Sequence, residues 1–351
     1  MAPLNPHPNH AIANYSVLVT GLTGYIAQHL VKLLIAKGYK VIGQVRSKEK
    51  GERLKSNLGS DSFSYEVIQG LEVKGALDPI LQKRKDIRAI FHTASPVLFE
   101  SKDVYNEVFV PAVEGTKNVL ESIYLHAPQV KKLVVTSSLA ALASYDQNMD
   151  PNFIIDETNY NNTTMEETLK NGSNGYYGAK TFAERAVWDF KRNKYPNFEV
   201  TMIMPSYTIG PQAFDSEVNG NQLNTTAQWV ADLLKLKPED PIPGFLDSQI
   251  DVRDIARAHV VALENPNTNG KRYFMRLSRT NMQQILDIIH KHFPKEFGHL
   301  PKGKPITDYY NEIFVKAAYI DDTETRKIMD FDYISLEQTI IDTINQILRT
   351  K

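Results

Sequence analysis

Residues 173 to 185, "SNGYYGAKTFAER", set two adjacent tyrosines just ahead of one lysine. Tyr176 stands four residues before Lys180 and Tyr177 three before it. A phenol beside an ammonium is suited to proton transfer, because the positive charge favours the phenolate and lowers the tyrosine pKa. Spacing does not choose between the two, since residues three and four apart on a helix share a side. Helical phase does. With about 100° per residue and Lys180 at zero, Ala179, Phe182, Ala183, Ala186, Val187 and Phe190 gather near about 270°, which reads as the buried face. On the same wheel Tyr176 falls near about 320°, between Lys180 and that face, and Tyr177 near about 60°, toward solvent with Glu184 and Lys191. A proton donor for an enclosed substrate belongs on the inner border, so Tyr176 is the candidate. Trp188 fits this wheel poorly and is expected to pack on a second lobe.

A second chemical signal opens the chain. After the β-branched run "SVLVTG" (16–21) comes "TGLTGYIAQHL", in which Gly21, Gly24 and Ala27 form G-x-x-G-x-x-A. A glycine turn lets backbone approach a pyrophosphate, and the helix that follows offers it free N–H groups and a positive dipole end. Ala27 would let that helix lie close on a sheet. The pattern carries weight because it sits between a strand and a helix at the start of a domain. The tip of the next strand should meet the adenosine ribose. There "GQVRSKEK" supplies Arg46 and, one helical turn on, Lys50, with no acid, which reads as NADP rather than NAD.

Other chemistries are disfavoured. The 351 residues include no cysteine, so disulfides, thiolate metal sites and a cysteine nucleophile are excluded. His290 and His292 form His-x-His, but residues two apart on a helix point different ways, and no metal site is expected. The formal net charge of −1, with no long run of one sign, argues against a nucleic-acid or anionic-membrane partner. No apolar run is long enough for a transmembrane helix. The first fourteen residues, "MAPLNPHPNHAIAN", do not resemble a secretory signal and read as a flexible tail. Asn-X-Thr triplets at Asn161, Asn162 and Asn224 then carry no glycosylation signal, and the expected compartment is the cytoplasm.

The elements that must position these groups alternate in type. Strand-like segments at 16–21, 40–47, 65–68, 87–95, 131–138 and 198–206 are separated by helical ones, notably 25–38 and 104–127. In the latter, Pro111 marks a kink or the start of the regular part. Strands apolar on both faces, alternating with helices, predict a doubly wound α/β parallel sheet of the Rossmann type. Residues 15–206 are expected to form the NADP-binding domain and 207–351 mainly a smaller substrate-binding lobe. Within that lobe, 250–275 ("DVRDIARAHVVALEN", then "KRYFMRL") returns to the main sheet.

Taken in order, "TGLTGYIA", "HTASP" (92–96), "VVTSS" (134–138), "YYGAK" (176–180) and "QIDVRD" (249–254) resemble the extended short-chain dehydrogenase/reductases over roughly residues 15 to 350. Within them the chain looks like the NADPH-dependent methylglyoxal and isovaleraldehyde reductases, relatives of the dihydroflavonol reductases. The resemblance implies reduction of an aldehyde, α-dicarbonyl or ketone to an alcohol, with hydride from NADPH and a proton from Tyr176. It makes Lys180 the partner of Tyr176 and a holder of the nicotinamide ribose. Ser138 would hydrogen-bond the carbonyl oxygen where charge develops. It further implies cofactor contacts from Gly21, Thr23, Gly24, Tyr25 and Ile26 at the turn, and from Thr93, Ala94 and Ser95. Pro205 and Thr208 in "MPSYTIGPQ" would lie beside the nicotinamide, and Thr226 matches a further contact position. His92 reads as structural, and a monomer or homodimer is expected.

Two departures stand out. Relatives carry an Asp after the third strand, toward the adenine, where this chain has Gly70 and Leu71; Met204 replaces an Asn before Pro205. Two other functions fit the motifs less well. A sugar-nucleotide epimerase or dehydratase would recycle tightly held NAD, against Arg46. A non-catalytic NADP sensor would be expected to lose one of Ser138, Tyr176 and Lys180. The small aliphatic segment "LAALAS" after Ser138 is expected to lead into a roomy apolar pocket lined by Ala143.

Overall fold

Strands with apolar side chains on both faces need cover on both sides, and the chain supplies it. The computed structural model describes residues 15–218, 223–244 and 246–350, so the tail expected at 1–14 lies outside the described residues. The strands in chain order are β1 (Ser16–Thr20), β2 (Lys40–Val45), β3 (Phe63–Val67), β4 (Ile87–His92), β5 (Lys132–Thr136), β6 (Ile154–Ile155), β7 (Glu199–Pro205), β8 (Tyr207–Ile209), β9 (Leu246–Asp251), β10 (Lys271–Met275), β11 (Ser278–Asn281) and β12 (Tyr319–Ile320). Seven form one sheet in the order β10-β7-β5-β4-β1-β2-β3, all pairs parallel. This is a Rossmann-type sheet with helices on both faces. Alternate residues of β1 show why: Leu18 packs into one apolar core while Val17 and Val19 pack into the other.

Helix α1 (Tyr25–Ala36) follows β1, and α2 (Lys48–Leu58) follows β2. The segment around Pro111 begins as a π-helix (Tyr105–Phe109) and runs on without a break into a regular helix (Val110–His126), so the widened turn lies just ahead of the proline, whose ring and missing N–H do not fit a regular helical turn. The stretch 250–275 gives the helix Val252–Glu264 and then β10, which joins the main sheet beside β7. A second sheet, β11-β9-β8, and the helices Thr225–Leu233, Met282–His292 and Leu336–Arg349 share a separate apolar core around Leu286, Ile289 and Ile340.

Candidate active site

The chain winds outward from β1 in one direction and from β4 in the other, which opens a crevice at their carboxyl ends. Gly21 follows β1 with φ of +64°, and a Cβ there would lie 2.7 Å from Ala94 Cα after β4. No side chain fits between these two turns. The Gly21 N–H donates to the buried Gln44 Oε1 at 2.8 Å, which ties the turn to β2. Gly24 starts α1 without a capping side chain, and no acid stands in the first turn. The leading N–H groups of α1 are thus left for an anion, at the positive end of the helix dipole. Gly24, Tyr25 and Ile26 border a cavity of about 310 Å³. Gly21, Thr23 and Ala94 are not among its lining residues and instead shape the turn, Thr23 through a carbonyl that accepts from Gln28. The Tyr25 hydroxyl donates to the carbonyl of Gly210.

Across the crevice Thr93 and Ser95 also line the cavity. The Thr93 hydroxyl donates to the Thr20 carbonyl at 2.5 Å. His92 is enclosed between Thr20 Oγ1 (2.9 Å) and Thr116 Oγ1 (3.1 Å), and burial depresses its pKa to about 3. It is a neutral staple between β1, β4 and the helix Val110–His126.

The cavity floor joins three groups. Tyr176 donates to Ser138 Oγ at 3.2 Å, and the Ala140 N–H donates to the same oxygen at 3.2 Å. A hydroxyl has two acceptor sites and one proton. With both acceptor sites used, the Ser138 proton is left to be given to an oxygen in the cavity. Lys180 is buried, gives one proton to the Thr136 carbonyl at 3.0 Å and has two more to offer the cavity it lines. Burial lowers its pKa to about 8, and the charge of Glu184 opposes that fall. The Tyr176 pKa moves up, not down as its pairing with Lys180 leads one to expect. Burial dominates, the hydrogen bond with Ser138 only partly offsets it, and the ammonium is engaged with Thr136. A phenol that holds its proton until a partner charge develops is a suitable general acid.

The helical wheel fails on its outer side. The helix Gly172–Lys194 buries Lys180, Thr181 and Glu184 as well as Ala179 and Val187. Tyr177, placed toward solvent by hydrophobic phase, lines the cavity beside Tyr176 and also an outer groove of about 1490 Å³. Glu184, assigned to the same solvent side, is 3% exposed. The wheel weighs apolar side chains only, whereas this face of the helix is polar and internally paired. Trp188 also differs from expectation: it packs on the main core and donates to Glu184 Oε1 at 3.1 Å, rather than reaching a second lobe. Ala143 is fully buried in that core and lines neither cavity nor groove; Leu139 and Ala140 line the cavity instead.

Aromatic rings close the mouth. Phe99 sits edge-on to Tyr176 with centroids 5.1 Å apart, and Tyr207 lies 5.2 Å from Trp229. Phe99 and Trp229 were not singled out in the sequence, and Tyr207 only as part of "MPSYTIGPQ": they sit in a turn, a short helix and a three-residue strand, with no repeated spacing to betray them. On the cofactor side, Pro205, Thr208 and Thr226 line the cavity, the Thr226 hydroxyl bonding the Thr208 carbonyl. Arg46 is exposed just past β2, and Ser47 caps α2 by accepting from the Lys50 N–H. Arg46 and Lys50 are not among the residues that line the cavity. At the departure after β3, Leu71 is built into the core. Among the described residues no group of three or more His, Asp or Glu could hold a metal. His290 bonds the Pro301 carbonyl and His292 pairs with Glu337.

Residues 17–275 match the model of the NAD dependent epimerase/dehydratase family. The NADPH-dependent methylglyoxal reductase GRE2 of Saccharomyces cerevisiae is 39% identical over 95% of this chain and 98% of that protein. Among solved structures, Gre2 from Candida albicans in complex with NADPH superposes with a TM-score of 0.92 at 42% identity, covering 96% of this chain and 99% of that one. Yeast methylglyoxal/isovaleraldehyde reductase Gre2 with NADPH gives 0.91 at 39% identity, covering 95% and 98%. A likeness to UDP-glucose 4-epimerase of Thermotoga maritima, at 19% identity and a TM-score of 0.71, extends to the fold alone.

Proposed function

The chain belongs to the NAD dependent epimerase/dehydratase family, and on that premise we propose that it works as an NADPH-dependent carbonyl reductase. It is an oxidoreductase that reduces aldehydes, α-dicarbonyls or ketones to alcohols. Two solved relatives at about 40% identity are NADPH-bound reductases, which supports reduction over sugar-nucleotide epimerisation. The observation that carries the reading is the Tyr176–Ser138 hydrogen bond with Lys180 beside it in one cavity.

The residues present fit the cofactor: a turn with no room for a side chain at Gly21, an uncapped helix start at Gly24 and an exposed guanidinium at Arg46. NADPH, when bound, supplies the hydride. The chain supplies the rest. The N–H groups at the start of α1 receive the pyrophosphate. Ser138 gives its free proton as a hydrogen bond to the substrate oxygen, where negative charge grows. Tyr176 then transfers its proton to that oxygen, and the Lys180 ammonium stabilises the phenolate left behind. Leu139, Ala140 and the aromatic mouth keep water from the reacting centre.

We place the reacting carbonyl in the cavity and any bulky substituent in the outer groove, with Tyr177 between them. The second sheet and its helices form the substrate-side lobe in this reading. A cytoplasmic location and a monomeric or dimeric state go with it; no described helix is long and apolar enough to cross a membrane. Loss of NADPH absorbance on mixing with methylglyoxal or a branched aldehyde is the direct test. No consumption with any member of an aldehyde, α-ketoaldehyde and ketone panel would remove the assignment.

A further inference from the structure

A carboxylate removed from water needs partners, and Glu184 has three. Its Oε2 accepts from the Ser137 hydroxyl. Its Oε1 accepts from Arg272 Nε and from Trp188 Nε1. The two side chains of the Arg272 pair are 5% and 2% exposed, so this is an ion pair within the protein interior. Arg272 comes from β10, at the sheet edge, and its remaining donors reach the carbonyls of Glu157 and Asn159 while its guanidinium covers the Tyr160 ring. Replacing such a pair by apolar residues is often neutral or favourable for stability, so burial alone gives no reason for it.

Its placement does. Glu184 is one helical turn beyond Lys180 on the same side of the helix, and Ser137 is the residue before Ser138. One carboxylate thus touches the backbone neighbour of the proposed oxyanion donor and stands one turn from the proposed ammonium, within reach of its charge though not in contact with it. We infer that Glu184 is a positioning residue that holds Lys180 as an ammonium beside Tyr176, with Arg272 and Ser137 fixing the carboxylate for that task. This rests on the reading of Tyr176 and Lys180 as the proton-transfer pair.

The other groups around Lys180 leave Glu184 as its counter-charge. From its own helix come Tyr176 and Tyr177, both phenols whose pKa burial raises. From β5 and the turn after it come the Thr136 carbonyl and the Ser137 and Ser138 hydroxyls. His92 on β4 and His259, which bonds Thr136, are kept neutral by burial, with pKa values of about 3 and 4. Arg272 on β10 is the other cation, and Glu184 shields Lys180 from it. Glu157 directs its carboxylate to Thr325. The fall of the Lys180 pKa to about 8 has burial as its cause, with Glu184 acting against it.

The test is the pH profile of kcat/KM for NADPH-dependent reduction by the full chain. Glu184→Gln removes the charge and keeps the size. Lys180 then loses its proton at lower pH, and the alkaline limb should move down by on the order of one pH unit. Glu184→Asp keeps the charge and should keep the limb near that of the parent. Because Glu184→Gln leaves Arg272 buried without its partner, it could unfold the chain. The double variant Glu184→Gln with Arg272→Met leaves no orphaned charge and should move the limb the same way by less. A uniform loss of rate in all three, with the limb unmoved, would mean that Glu184 only supports the fold. Tyr176→Phe separates the two levels: if it stays active, the proton-transfer pair itself is misassigned; if it is dead and the limb does not move, only the inference about Glu184 falls.

Discussion

Tyr176 hands its hydrogen bond to Ser138 across 3.2 Å, and so joins the long helix to the end of β5 at the floor of the cavity. Tyr177, one residue on, turns toward the groove and hydrogen-bonds Tyr207 instead. Both phenols are half-buried, so enclosure does not decide which is the acid; the shared serine does.

Tyr176→Phe should therefore lower kcat by about 10²- to 10⁴-fold, the usual worth of a general acid, while NADPH affinity changes little. Tyr177→Phe loses one hydrogen bond between phenols, worth about 1 kcal/mol, and should cost under about tenfold, mainly in KM. Steady-state kinetics and NADPH titration of both variants check this. An exchange of the two behaviours would make Tyr177 the donor.

How far the site was legible depended on local pattern. Gly21 and Gly24 announce themselves because a strand, a turn and a helix follow one another in sequence and need no distant contact. The strand runs were equally readable, since their apolar residues occupy both faces. Tyr177 and Glu184 were misplaced where a polar residue is buried by pairing, Glu184 with Ser137 and with Arg272, the latter 88 residues away on β10. Hydrophobic phase has no means of registering such a pair. Ala143 failed for a related reason: a small apolar residue fits a pocket wall or a core equally well, and here the turn after Ser138 sends it into the core.

That distinction yields a second expectation. Trp229 borders the outer groove and its ring packs with those of Tyr207 and Phe99. Trp229→Ala should reduce kcat/KM for bulky aryl ketones by up to about tenfold, the value of a lost aromatic contact, while methylglyoxal changes by about twofold or less. Ala143→Phe should behave differently, destabilising the fold by about 1–3 kcal/mol through overpacking and depressing all substrates alike. Thermal melts with a substrate panel separate the two. A selective penalty on large ketones from Ala143→Phe would return that residue to the pocket.

A third expectation concerns acid. His259 is fully buried, with Nδ1 on the Ile255 carbonyl at 2.8 Å and Nε2 on Thr136 Oγ1 at 2.7 Å, an arrangement that suits the neutral ring. Its pKa falls from 6.5 to about 4 through burial. The unfolded chain binds the proton more readily, so this contribution is complete above pH 6.5 and is lost as pH falls toward 4. The difference amounts to roughly 3 kcal/mol. Melting temperature should hold steady between about pH 7 and 8 and fall below about 6.5, and His259→Gln should make that fall shallower. An unchanged slope would mean the histidine is not neutral in the fold.

The last expectation concerns cofactor choice. Arg46 stands exposed at the tip of β2, immediately before the Ser47 cap of α2, and makes no hydrogen bond or ion pair with the described residues. A guanidinium placed there is free for the 2′-phosphate of NADPH, which carries close to two negative charges and can accept its forked donors. Lys50 adds a second, less directional charge one turn into α2. A charge-assisted hydrogen bond is worth about 1.5–3 kcal/mol, or roughly ten- to a hundredfold in affinity. Arg46→Ala should weaken NADPH by that factor. NADH has no 2′-phosphate to lose, so its binding should stay the same or improve slightly. Fluorescence titration of the variant with each cofactor reads the two effects side by side. An equal loss for NADH and NADPH would show that Arg46 serves the adenine or the strand tip, and discrimination would then fall to Lys50.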